Sequence, residues 1–166
     1  MALMRFKKDD TVGMTQFFEK NGFVIITDAF QNTVLDDFKI ECSNIIRAHL
    51  NKAGLVDKYS LDSIFDEAMT DLELSDHKHI ASIYDTIFQA PSFFRIIGEK
   101  TLVDSVKILM NNPEAPLYGF TNRCRIDPPK DERRTYGWHQ EVFYTVPKGN
   151  YIQSGAPLIR DTTVEN

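Results

Sequence analysis

Leu117-Tyr118-Gly119-Phe120-Thr121-Asn122-Arg123-Cys124-Arg125-Ile126 is the stretch on which the reading of the fold turns. Aromatic, apolar and polar residues alternate in it, the period-2 texture of a half-buried strand. After a charged loop at 128–136, two more strands are predicted at 138–144 and 151–160. The chain before Pro116 reads differently. Residues 15–20 predict a short helix stopped by the turn signal Asn21-Gly22, and Phe23-Val24-Ile25-Ile26-Thr27 predicts a strand. Asn32 or Thr33 is the expected cap of the next helix, with Asp36 and Asp37 in its first turn. Val34, Leu35, Phe38, Ile45, Ile46 and Leu50 then recur at helical spacing up to Ala53-Gly54. Further helices are predicted at 61–72, 80–88, 92–97 and 101–110, the last closed by Asn111-Asn112-Pro113. Helices first and strands grouped after them predict an α+β fold, with a helical block packed on one side of a mainly antiparallel sheet.

The 166 residues suit one domain spanning 1–166, with material for a substantial core. A formal net charge of −5 argues against a nucleic-acid backbone as main partner. Twelve Phe and six Tyr supply a large core or a pocket with apolar walls. Cys42 and Cys124 lack metal or redox spacing and read as free thiols in a reducing compartment. No apolar run reaches the roughly 18 residues of a membrane span, and Met1 to Asp10 is too charged for a signal peptide. The expectation is a soluble cytoplasmic protein with no membrane partner.

Chemistry concentrates near the end of the chain. In Trp138-His139-Gln140-Glu141 an imidazole and a carboxylate stand two residues apart, and on an extended backbone both face the same side. They would supply two of the three ligands of the 2-His-1-carboxylate triad that holds non-haem Fe(II). Trp138, Phe143 and Tyr144 would wall a dry pocket, where metal–carboxylate attraction is strong. The competing reading is an edge-strand histidine beside a solvated glutamate. Arg123, Arg125 and Asp127 alternate on the preceding strand and share a face. An arginine there could bind the carboxylate of an organic-acid cosubstrate through its planar fork; an ion pair with Asp127 or a neighbouring acid is the alternative. His77 and His79 sit among Ser75, Asp76 and Lys78 and read as an exposed polar turn, while His49 reads as a structural histidine of an amphipathic helix. No phosphate-binding Gly-rich loop or nucleophile elbow is present.

With these residues in view, the chain resembles the phytanoyl-CoA dioxygenase family of Fe(II)- and 2-oxoglutarate-dependent oxygenases. Residues 17–26, Phe-Phe-Glu-Lys-Asn-Gly-Phe-Val-Ile-Ile, are similar to that family's opening helix and strand. Arg125-Ile126-Asp127-Pro128-Pro129 ahead of Trp138-His139-Gln140-Glu141 resembles its R-x-D-x-P and W-H-Q-D segments, and residues 156–166 resemble the strand and turn before its G-S-H segment. The resemblance implies a double-stranded β-helix of jelly-roll or cupin type, here incomplete, behind the helical block. It implies Fe(II) and 2-oxoglutarate as cofactors, O2 and a small organic molecule as substrates, and hydroxylation of an aliphatic C–H. His139 and Glu141 would be metal ligands, with Glu in place of the family's usual Asp. Arg125 and Tyr136 would face the cosubstrate, and Arg123 and Asp127 would line the same wall.

Only 25 residues follow Glu141, and none is a histidine. The expectation is therefore the N-terminal part of a longer dioxygenase domain, cut before the distal histidine and the 2-oxoglutarate arginine, and inactive or nearly so as it stands. A reading of another class competes: a non-catalytic module whose open sheet edge mediates self-association. A related cupin-type metal barrel fits the long helical half less well.

Overall fold

A computed structural model describes residues 4–119, 122–124 and 150–158. Its first helix, α1 (Thr11–Asn21), is fixed at both ends by its own sequence. Asp10 Oδ1 accepts the Gly13 N–H at 2.9 Å, satisfying a donor left free in the first turn. Gly22 terminates the helix at φ +76°, its N–H donating to the Phe18 carbonyl. That left-handed position is open to glycine without steric cost. The predicted stop at Asn21-Gly22 is where the helix ends, but Asp10 starts it a turn earlier than the apolar pattern suggested.

Strands β1 (Phe6–Lys7) and β2 (Ile26–Thr27) flank α1 and pair in parallel. The Phe6 N–H donates to the Ile25 carbonyl at 2.9 Å, and the Thr27 hydroxyl donates to the Phe6 carbonyl at 3.2 Å. The Phe17 ring lies against both Phe6 and Phe23, so aromatic contact holds the pair onto α1. Asp28, at φ +55°, turns the chain away directly afterwards. Of the strand predicted over 23–27, only the last two residues therefore pair.

The centre of the molecule is α2 (Asn32–Lys52), against which the other elements of the main core assemble. Phe38, Cys42, Ile46 and Leu50 form its buried stripe at four-residue spacing. Burying each large apolar side chain is worth roughly 1.5–3 kcal/mol, so this stripe orients the helix. Asn32 and Thr33 do not cap it; Gln31 occupies the cap position and makes no side-chain bond there.

The helix predicted over 61–72 is broken. Residues Ser63–Phe65 form a 3-10 turn, and α3 (Glu67–Ser75) begins only after Asp66. Ser60 and Ser63 exchange side-chain-to-backbone hydrogen bonds, each at 3.1 Å. Such local bonds compete with the α-helical ladder. Ile64, Phe65, Ala68, Met69 and Leu72 still reach the core from both pieces.

Helix α4 (Lys78–Ile87) buries Ile80, Ile83 and Ile87. Helix α5 (Pro91–Ile97) has proline in its first turn, where the missing N–H costs nothing. Its Ser92 N–H donates to Glu41 Oε2 of α2 at 3.0 Å, so a carboxylate 51 residues away caps it. Phe93 of α5 packs its ring 6.0 Å from that of Phe38. The last helix among the described residues, α6 (Lys100–Leu109), returns to pack on α1.

The described molecule is thus helical, with one two-residue parallel strand pair. This corrects the predicted α+β fold with an incomplete double-stranded β-helix, since no such sheet is found among the described residues. Residues 117–119, 122–124 and 151–158, on which two of its strands were placed, follow an irregular path and form no strand. Leu117, Tyr118 and Tyr151 are exposed, so alternation there does not mark a buried face. Pro157 also removes a ladder donor from the last stretch. The loop at 128–136 and the strand at 138–144 lie outside the described residues. Among the described residues no helix is long and apolar enough to cross a membrane.

Candidate functional site

Of the six site residues predicted from sequence, Arg125, Asp127, Tyr136, His139 and Glu141 lie outside the described residues. Arg123 is described and is solvent-exposed. Its neighbour Cys124 turns the other way and is buried in the main core, in one cluster with Cys42 of α2. Burial pushes the Cys42 thiol well above its ordinary pKa, and the adjacent Cys124 thiol and Glu41 carboxylate add to that. Neither cysteine is in a disulfide, and Cys42 is a protonated, unreactive core residue rather than a nucleophile. Leu158 also packs against this core. The helical block thereby holds the chain at the residue before Arg125.

Among the described residues, no group of three or more His, Cys, Asp or Glu side chains could hold a metal ion. The notable cluster is a pair. His49 Nδ1 of α2 lies 3.0 Å from His79 Nδ1 of α4, with the rings 5.3 Å apart and nearly perpendicular. At that distance one Nδ1 donates and the other accepts. His49 is only 5% exposed. Burial lowers its pKa, and nearby Lys52 and His79 push the same way.

The sequence reading placed His77 and His79 together in an exposed polar turn. His77 is exposed, with Nδ1 3.8 Å from Asp76 Oδ1. His79 is half-buried and faces His49. Linear spacing carries no signal for a contact across 30 residues. The one hint was that His49 shares a helix face with Ile45 and Ile46.

A second polar cluster joins the segment before the 3-10 turn to α3. The Tyr59 hydroxyl donates to Asp71 Oδ2 at 2.5 Å, and Lys58 Nζ stands 4.0 Å from the same oxygen. Arg47 of α2 ties the segment down through Asp57 and donates to the Tyr59 carbonyl at 3.1 Å. Lys58, Asp66, Glu67, Thr70 and Asp71 line an open groove of about 350 Å³ beside it. The bond to Asp71, then burial and the surrounding acids, push the Tyr59 phenol up to about 12.

The sign follows directly. An unfolded tyrosine ionises near pH 10, so above that pH the unfolded chain releases a proton that the folded chain keeps. Stability from this group is complete below about pH 10 and falls as pH rises towards 12. Tyr59→Phe is expected to cost about 1–2 kcal/mol at neutral pH and to flatten the loss of stability above pH 10. Urea unfolding of both proteins across that range measures it, and equal alkaline slopes would contradict it.

No protein-family model, curated protein or solved structure matches this chain.

Proposed function

We propose that this chain belongs to an Fe(II)- and 2-oxoglutarate-dependent dioxygenase that hydroxylates an aliphatic C–H of a small organic substrate. The observation that carries the reading is Trp138-His139-Gln140-Glu141, preceded by Arg125-Ile126-Asp127-Pro128-Pro129. An imidazole nitrogen and a carboxylate oxygen are the donors Fe(II) takes in its facial triad. The donor set fits in type and is one imidazole short. Among the described histidines, His49 and His79 are engaged with each other and His77 stands beside Asp76.

When bound, iron and 2-oxoglutarate supply the O2 chemistry that attacks an unactivated C–H. The chain's residues bind and orient. His139 would hold the metal through a neutral ring nitrogen, and Glu141 would neutralise part of its charge. An arginine fork at Arg125 would fix a cosubstrate carboxylate, with Tyr136, Asp127 and Arg123 on the same stretch of chain. Trp138 and Phe143 would keep water away.

The test is metal binding by the 166-residue chain, with anaerobic Fe(II) titrated into the original protein, His139→Ala and Glu141→Ala. Weak binding is expected for the original, with each variant weaker by about tenfold or more, since even an outer partner of a metal ligand is worth that much. Turnover of 2-oxoglutarate by these residues alone is expected near background, because two protein ligands leave the triad unfilled. Three indistinguishable titrations would remove the basis of the proposal.

A further inference from the structure

His49 and His79 join the central helix to α4 through one hydrogen bond, and that bond has an unusual property. It needs one ring nitrogen with a proton and one without. Two neutral imidazoles satisfy it, and so do one neutral ring and one imidazolium. Two imidazolium rings cannot, because both Nδ1 atoms then carry protons and the rings repel at 3.0 Å.

We propose that the His49–His79 contact is an acid-sensitive latch between α2 and α4, closed while at least one of the two rings is neutral and opened when both are charged.

The surroundings bias the latch in one direction. On α2, Lys52 places a positive charge near His49. On the α4 side, His79 shares its neighbourhood with Asp76, His77 and Lys78 at the turn from α3. Asp76 is committed there, accepting the Lys78 N–H at 3.0 Å. Glu73 stands one turn earlier on α3. On α5, Arg95 is paired with Asp37 at 3.0 Å, at the far end of α2. On the 3-10 side, Asp57 is held by Arg47. Among the described residues, the hydrogen bond His49 makes is to His79 and not to a carboxylate that would neutralise an imidazolium. The buried ring gains charge at a cost, and that cost falls on the seam between α2 and α4.

The linkage has a definite sign. His49 has a folded pKa below the unfolded value of about 6.5. Between the two values the unfolded chain binds the extra proton, so stability is present above about pH 6.5 and is lost as pH falls through the folded pKa.

The experiment compares the full chain with His79→Gln and His77→Gln, by urea unfolding from pH 7.5 to 5.5 in the presence of chelator. Glutamine at 79 offers both a donor and an acceptor and does not titrate, so it can bond His49 in either protonation state. The unfolding constant of the original protein is expected to rise with acidification, by up to about tenfold per pH unit for one proton taken up. His77→Gln should rise equally and His79→Gln less, though not to zero, because burial and Lys52 still act on His49. The His49 ring, followed by NMR, should titrate below 6.5 in the original and higher in His79→Gln. Equal acid slopes in the original and His79→Gln, or a His49 titration unmoved by that substitution, would overturn the latch.

Discussion

Phe38→Ala is expected to cost about 3–5 kcal/mol, the range for deleting a fully buried aromatic ring. Phe38 is 1% exposed and lies at the first buried turn of α2, its ring against Phe93 of α5. Truncation removes the ring's transfer free energy and leaves a cavity where α2 and α5 meet. The site is poorly placed to collapse, because Glu41 of the same helix fixes the start of α5 through the Ser92 N–H. Domains have only about 5–15 kcal/mol of stability in total, so the variant should lose a large share of it. Urea unfolding should show a lower midpoint with an unchanged slope. A loss under about 1 kcal/mol would mean that α2 and α5 do not share this core.

Leu72→Asp is expected to act more strongly and to carry a pH signature. Leu72 is fully buried on α3, in the cluster with Met69, Ile83 and Leu50. The flanking turns of α3 hold Ala68, Met69, Ser75 and Asp76, so its own helix offers no cation to pair with a new carboxylate. An unpaired buried charge costs several kcal/mol, and the group responds by raising its pKa. A raised folded pKa gives stability present below the unfolded value of about 4 and lost as pH rises through the folded one. Leu72→Asn has nearly the same shape and no titration. The two variants should differ by several kcal/mol at pH 7 and converge as pH falls towards 4. Equal stabilities at pH 7 would show that position 72 reaches water.

These predictions concern the helical block, and that block was largely legible in the sequence. Phe38, Ile46 and Leu50 on α2, and Ile80, Ile83 and Ile87 on α4, repeat with a helix's own period, so local pattern and tertiary burial agree. Where reading failed, the deciding partner was elsewhere in the chain or at an unnoticed cap. Asp10 extended α1 beyond its apolar residues, and the Ser60–Ser63 exchange broke a helix that periodicity had made continuous. Strands fared worst, because alternation describes one strand while pairing requires two. The strand read over 23–27 pairs only at Ile26–Thr27, and its partner, Phe6–Lys7, went unrecognised. Residues 117–119, 122–124 and 151–158 alternate or extend without forming a strand. The predicted metal ligands His139 and Glu141 rest on motif and spacing. The His49–His79 contact, by contrast, came entirely from the way α2 and α4 meet.

The contact between α1 and α6 has a consequence for how the molecule is made. Met14 of α1 is fully buried, yet the helix that packs on α1 begins only at Lys100. During synthesis α1 emerges early and waits for almost eighty more residues before that neighbour exists. Until then the part of α1 that meets α6 stays uncovered on the nascent chain, the kind of surface that chaperones bind, while Phe17 already has Phe6 and Phe23 to pack on. Most of the main cluster around α2, from Phe38 to Ile96, can assemble in the meantime, and the seam between α1 and α6 closes only afterwards.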